Sequence, residues 1–151
     1  MAKPFFGDII QGLKRDKMHM QDIYAVVEMM KKRFAEEKIP FAVIGAIAMR
    51  EYGFVRHTED IDILTTKEGL DKIHEVFVGR CIVPRSEGAR KKLRETEHHV
   101  NIDVITSGEH AGSNSSPIVY PHPESDDFIT KDCMRIPKLN KLLEFKIASG
   151  V

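Results

Sequence analysis

The chain has 151 residues, 42% of them hydrophobic and 30% charged, which supplies the core of one domain spanning 1–151. Lys plus Arg and Asp plus Glu both number 23, so no global basic field announces a long nucleic acid. No stretch approaches the roughly 18 apolar residues of a transmembrane helix, and the amino terminus lacks the apolar core of a signal peptide.

Cys81 and Cys133 stand far apart without Cys-x-x-Cys spacing, so free thiols in a reducing cytoplasm are expected, with no structural zinc. Two Gln and three Asn beside the high charge lean toward a thermophilic source.

Residues 1–17 are a mixed basic and apolar lead, read as an amino-terminal extension in which Phe5, Phe6, Ile9, Ile10 and Leu13 would line a short amphipathic helix. Over 22–37, Ile23, Val26, Val27, Met30 and Phe34 form one apolar stripe at helical spacing, with charges opposite. Pro40 closes that segment. The run Phe41-Ala42-Val43-Ile44-Gly45 predicts a strand, and small and apolar residues from Ala46 to Gly53 predict a tight turn and a short helix. Backbone N–H groups that open such a helix suit a phosphate, although an ordinary α/β turn also needs glycine there.

Thr58-Glu59-Asp60-Ile61-Asp62-Ile63-Leu64-Thr65 predicts the next strand. Alternation puts Asp60 and Asp62 on one face and Ile61 and Ile63 on the other. Lys67–Val78 reads as a helix with Leu70, Ile73, Val76 and Phe77 inward, and 81–84 as an edge strand, since Pro84 cannot donate to a ladder. The segment 80–94 carries Arg80, Arg85, Arg90, Lys91, Lys92 and Arg94 against Glu87. It reads first as a solvated helix face, and second as a phosphate or nucleic-acid contact without aromatic stacking platforms. Residues 98–105 predict a third strand with Asn101 and Asp103 on one face and Ile102 and Val104 on the other. The polar, glycine-rich segment 107–117 is a loop that either borders the site or merely connects.

Burying one face of a strand while loading the other with two carboxylates calls for compensation: by solvent on an exposed face, the ordinary reading of a lone Asp-x-Asp, or by a cation, for which hard oxygen ligands suit Mg²⁺ or Mn²⁺. No His-x-x-x-His spacing, P-loop, Gly-x-Ser-x-Gly elbow or dinucleotide glycine motif competes with that reading. The histidines read first as surface or strand-edge residues, with an approach of His57 and His98 to the pocket as the alternative.

Gly45-Ala46 on the strand-turn-helix, Asp60-Ile61-Asp62 on the next strand and Asp103 on the third together resemble the DNA polymerase β-like nucleotidyltransferase superfamily, in particular its small prokaryotic members. The lead-in Arg56-His57-Thr58-Glu59-Asp60 is similar to their Arg-x-Thr-x-Asp run. The stretch Lys141 to Gly150 is similar to the Lys-bearing helix of the abortive-infection and antitoxin-like branch. The resemblance spans roughly residues 23–150. It implies an α/β (α+β) nucleotidyltransferase fold, a small mixed sheet with helices mainly on one face and an open metal and nucleotide cleft on the other. It implies an enzyme that moves a nucleoside monophosphate from a nucleoside triphosphate such as ATP to an acceptor hydroxyl. Asp60, Asp62 and Asp103 would hold two Mg²⁺ or Mn²⁺ ions, with Asp103 nearest the acceptor proton. Gly45 and Ala46 would hold the β- and γ-phosphates, Lys146 would add a phosphate contact, and Arg56 and Thr58 would orient the substrate. For Thr58 a structural hydrogen bond is the equal alternative.

Two departures stand out. Ala46 occupies a position usually held by Ser or Gly and lacks the serine hydroxyl. The Arg/Lys-Asp segment that often follows the Lys-bearing helix is not among these residues, as in a shortened or minimal form. The acceptor stays open between a small hydroxylated molecule, a protein side chain and an RNA end. The alternative is a weakly or non-catalytic partner protein, a homodimer or one half of a toxin–antitoxin pair. A metal-dependent phosphohydrolase ranks third.

Overall fold

The computed structural model describes residues 6–149, including all side chains in that span except those of 6–10, 12, 13 and 16. Helix α1 (Phe6–Glu36) is one continuous run, so the helix expected over 22–37 begins sixteen residues earlier. Of the apolar lead expected over 5–13, Phe5 lies outside the described residues, as do the side chains of Phe6, Ile9, Ile10 and Leu13. The stripe of Ile23, Val26, Val27, Met30 and Phe34 is fully buried, as its spacing requires.

Strand β1 (Phe41–Ile44) leads directly into helix α2 (Gly45–Glu51), then β2 (Asp60–Thr65), helix α3 (Lys67–Val76), β3 (Ile82–Pro84), β4 (Lys92–Glu95) and β5 (Val100–Thr106). These five strands form one mixed sheet in the order β1-β2-β5-β4-β3. β2 and β5 run parallel at its centre, and the other pairs are antiparallel. A hairpin of β6 (Phe128–Lys131) and β7 (Met134–Pro137) follows, and helix α4 (Leu139–Ala148) ends the described chain. Tyr52 at the end of α2 donates a 2.6 Å hydrogen bond to the Pro137 carbonyl, tying the hairpin back to the first half of the domain.

Thr66 caps α3 by accepting from the Gly69 N–H, with Glu68 in the first turn where the helix dipole favours an acid. The main core lies on one face of the sheet, where α1 and α3 pack on Ile61, Ile63, Ile102, Val104 and Leu93. The opposite face is divided. Ala42, Ile44 and Leu64 are covered by Ala111, Tyr120, Phe128 and Phe145, a second apolar layer. The remaining half carries Asp60, Asp62, Asn101 and Asp103 and stays open. The fold is therefore the expected mixed sheet with helices on one face, with half of the other face roofed over.

One expectation is corrected. The segment 80–94 is not a helix face: it is β3, a turn and β4, with the edge strand ending at Pro84 as expected. Residues 92–95 alternate exposed and buried, as Lys92, Leu93, Arg94 and Glu95.

Candidate active site

Gly45 is the hinge of the site. Its φ of +70° lies in the left-handed region, and a Cβ there would run into the carboxylate of Asp62. Only glycine lets β1 turn into α2 at this point while Asp62 rests against the turn. Ile44 at the N-cap supplies no side-chain hydrogen bond, so the opening amides of α2 have no side-chain cap.

Asp62 and Asp103 are Cα partners in the parallel ladder, and Asp60 lies opposite Asn101. All four side chains project from the open face. The Asn101 amide donates to Asp60 Oδ1 at 3.2 Å, while Asn101 Oδ1 is buried without a hydrogen-bond partner. Burial pushes the Asp62 carboxyl up to about 6, reinforced by the charges of Asp103 and Asp60 and only partly offset by Lys92 and Arg85. Asp103 is held by two cations, one just past β3 and one on β4: the Arg85 guanidinium on Oδ1, and Lys92 Nζ at 3.0 Å from Oδ2. Among the described residues, Asp60, Asp62 and Asp103 do not bring one carboxylate oxygen each within 4.8 Å of one another.

A cleft of about 540 Å³ opens over these acids. Its walls include Gly45, Ala46, Arg56, Thr58 and Lys146, so the three acids and the candidate phosphate-binding residues border one cavity. Thr58 Oγ1 also donates to the Asp60 carbonyl at 3.1 Å, which gives the structural alternative for that residue a real bond. The loop 107–117 does border the cleft, through Glu109, His110 and Gly112. Gly112 has a φ of +83°, and a Cβ there would strike the Ala148 carbonyl of α4. Burial pushes the Glu109 carboxyl up, but hydrogen bonds from Lys91 and Thr106 outweigh it and leave the group below the ordinary carboxylate range. His57 is exposed and His98 is part-buried in the turn before β5, in line with the surface or strand-edge reading, and neither lines the cleft.

Several lining residues were not legible beforehand. Tyr120 packs on Phe145 with ring centroids 4.6 Å apart, and burial with the charges of Asp62 and Glu109 raises its phenol. Lys92 lines the cleft and Arg85 pairs with Asp103, contacts that the charge run over 80–94 does not reveal. Away from the cleft, Glu95, Glu97 and His98 bring ligand atoms within 4.8 Å at the β4–β5 turn, a donor set capable of holding a metal. Both carboxylate oxygens of buried Glu95 already accept backbone N–H groups, from Glu97 and His98 at 2.8 Å each, so the group also serves as a turn brace.

The open face offers a hard cation carboxylate and amide oxygens, an orphaned buried Asn101 oxygen, and a carboxyl whose ionisation is opposed by burial and its neighbours, while Arg85 and Lys92 occupy Asp103.

No protein-family model and no curated protein sequence matches the chain. Among solved structures it is similar to a protein of Thermotoga maritima described as a "putative nucleotidyltransferase", with a TM-score of 0.59 and 16% sequence identity over 86% of each chain. At that identity the likeness is one of fold, and the mixed α/β architecture is the same. No described helix is long and apolar enough to cross a membrane.

Proposed function

We propose that the chain is a metal-dependent nucleotidyltransferase that moves a nucleoside monophosphate from a nucleoside triphosphate to an acceptor hydroxyl. The observation that carries this reading is the Asp62–Asp103 pairing across the parallel ladder, directly under the left-handed Gly45 turn and within one cleft. Asp60 and Asp62 would hold Mg²⁺ or Mn²⁺, joined by Asp103 as Arg85 and Lys92 release it. Bound there, the metal supplies charge neutralisation for the phosphate oxygens.

The protein's own groups do the rest. Small side chains at Gly45 and Ala46 let the triphosphate approach the amides of the turn. Lys146 and Arg56 both line the cleft and would neutralise phosphate charge there. Asp103 would take the acceptor proton once Arg85 and Lys92 release it. As the acceptor oxygen bonds to the α-phosphorus, the α–β bridging bond breaks and pyrophosphate leaves with the electron pair. Roofing by Tyr120 and Phe145 keeps part of the cleft dry, which strengthens each of these charge contacts.

A binding screen of nucleoside triphosphates with Mg²⁺ and Mn²⁺ tests the proposal. Saturable binding that needs the metal and is lost in Asp62→Asn is the expected result; metal-independent or absent binding refutes it. The partner-protein reading is favoured by one observation. Leu139, Leu143 and Ile147 form an exposed apolar stripe along α4 at 36%, 38% and 78% exposure, an open surface for a second chain. Failure of all triphosphates to bind, together with a dimer in solution, would favour that reading.

A further inference from the structure

A second cavity, of about 430 Å³, lies beside the cleft and shares two residues with it, Arg56 and Thr58. Its wall is formed by α1, the end of α2 and the lead-in to β2. Five of the eight described lining residues are basic: Lys17, His19, Arg50, Arg56 and His57. The others are Met20, Val55 and Thr58, so no carboxylate lines it among the described residues. Glu59 stands at the rim, 3.5 Å from His57. The rings of His19 and His57 face each other at 27° with centroids 6.4 Å apart, and His19 Nε2 is buried without a hydrogen-bond partner.

Cationic and potentially cationic groups do not collect around a shared cavity without cost, and a chain with a net charge of zero has no general excess to place there. An anion inside relieves the repulsion and gives the buried His19 nitrogen a partner. Two guanidinium forks, an ammonium and two imidazoles suit the several oxygens of a phosphate better than the two of a carboxylate. Arg56 borders both cavities, so a group bound here lies one side chain away from the acidic centre.

We propose that this cavity is a binding site for a phosphate monoester, the anionic end of the acceptor, which places the acceptor hydroxyl over Asp103. This rests on the nucleotidyl-transfer reading of the cleft. It narrows the acceptor class to molecules that already carry a phosphate.

The test follows the imidazole resonances of the full chain by NMR, with each histidine assigned by its single His→Gln variant, as inorganic phosphate is titrated in. Saturable shifts are expected at His19 and His57 but not at His74 or His122, which line neither cavity. Lys17→Gln and Arg50→Gln should each weaken the phosphate affinity by about tenfold, as expected for the loss of one charge-assisted contact. Lys17 is exposed, so its variant folds. No saturation at either imidazole, or unchanged affinity in both variants, overturns the site. Addition of ATP with Mg²⁺ separates the two readings. Displacement of phosphate from His19 and His57 would assign the cavity to the nucleotide's own phosphates and overturn the acceptor assignment. ATP that moves nothing in the cleft, while phosphate still saturates both imidazoles, refutes the transfer reading and leaves the anion site standing.

Discussion

A carboxylate wedged against Gly45 and facing Asp103 is costly to ionise, and that cost fixes how Asp62 links stability to pH. Its pKa rises from 3.8 to about 6 on folding, chiefly through burial and then through Asp103 and Asp60. A raised folded pKa means the native state holds its proton longer than the unfolded chain does. The contribution of Asp62 to stability is therefore fully present below about pH 4 and is lost as pH rises through about 6. Two pKa units correspond to roughly 2–3 kcal/mol. Asp62→Asn should raise the metal-free melting temperature near neutral pH and leave it nearly unchanged near pH 4. Melting curves for both proteins across that window check this, and parallel pH profiles would refute it. Ala46 is tested differently. Ala46→Ser adds a hydroxyl at the cleft wall and should improve triphosphate affinity by about 1–2 kcal/mol. Ala46→Val should abolish binding with little effect on melting, because it obstructs the approach without opening a cavity. Identical titrations for all three proteins would indicate that phosphates do not use this turn.

At the level of elements, legibility follows local pattern. The α1 stripe and the central strands β2 and β5 could be read because apolar period and burial coincide: Ile61, Ile63, Ile102 and Val104 alternate with Asp60, Asp62, Asn101 and Asp103. Strand β4 hid because its second inward position is Glu95, a buried carboxylate braced by backbone N–H groups, so the run looked like a charged helix face. Arg85 and Lys92 reach Asp103 only because the sheet order sets β4 beside β5 and β3 beyond it, a fact that no local window contains. The β6–β7 hairpin was missed for a chemical reason. Its two-residue turn, Asp132–Cys133, has φ of +49° and +64°, conformations that hairpins usually assign to Asn-Gly or Asp-Gly. Cys133 bears strain that glycine would not, about 1 kcal/mol or somewhat more. Cys133→Gly should therefore raise the melting temperature despite removing an exposed side chain. A lower melting temperature would show that the thiol packs better than its exposure implies.

Across the whole molecule, the central sheet separates what must be dry from what must bind. One face and half of the other are apolar, and the acids occupy the remaining half, where Arg85 and Lys92 neutralise Asp103. Those two cations keep a metal-free domain tolerable, and they compete with a metal for the same oxygens. Arg85→Gln removes a largely shielded partner of Asp103 and should lower metal-free stability by about 1–3 kcal/mol. The same change should make Mn²⁺ stabilise the protein more than it stabilises the wild type, because Asp103 is easier to recruit. At a metal concentration about 100 times Kd, ligand linkage contributes about 2.7 kcal/mol. For a chain of this size that corresponds to a rise of roughly 5–10 °C. Thermal melts of both proteins with and without Mn²⁺ measure the two effects together. A larger metal increment on a less stable protein would place Arg85 as the metal's competitor. Equal increments would mean Asp103 stays with its cations and the metal relies on Asp60 and Asp62 alone. No increment in either protein would remove the metal from the proposal and leave the fold as a scaffold for a partner on α4.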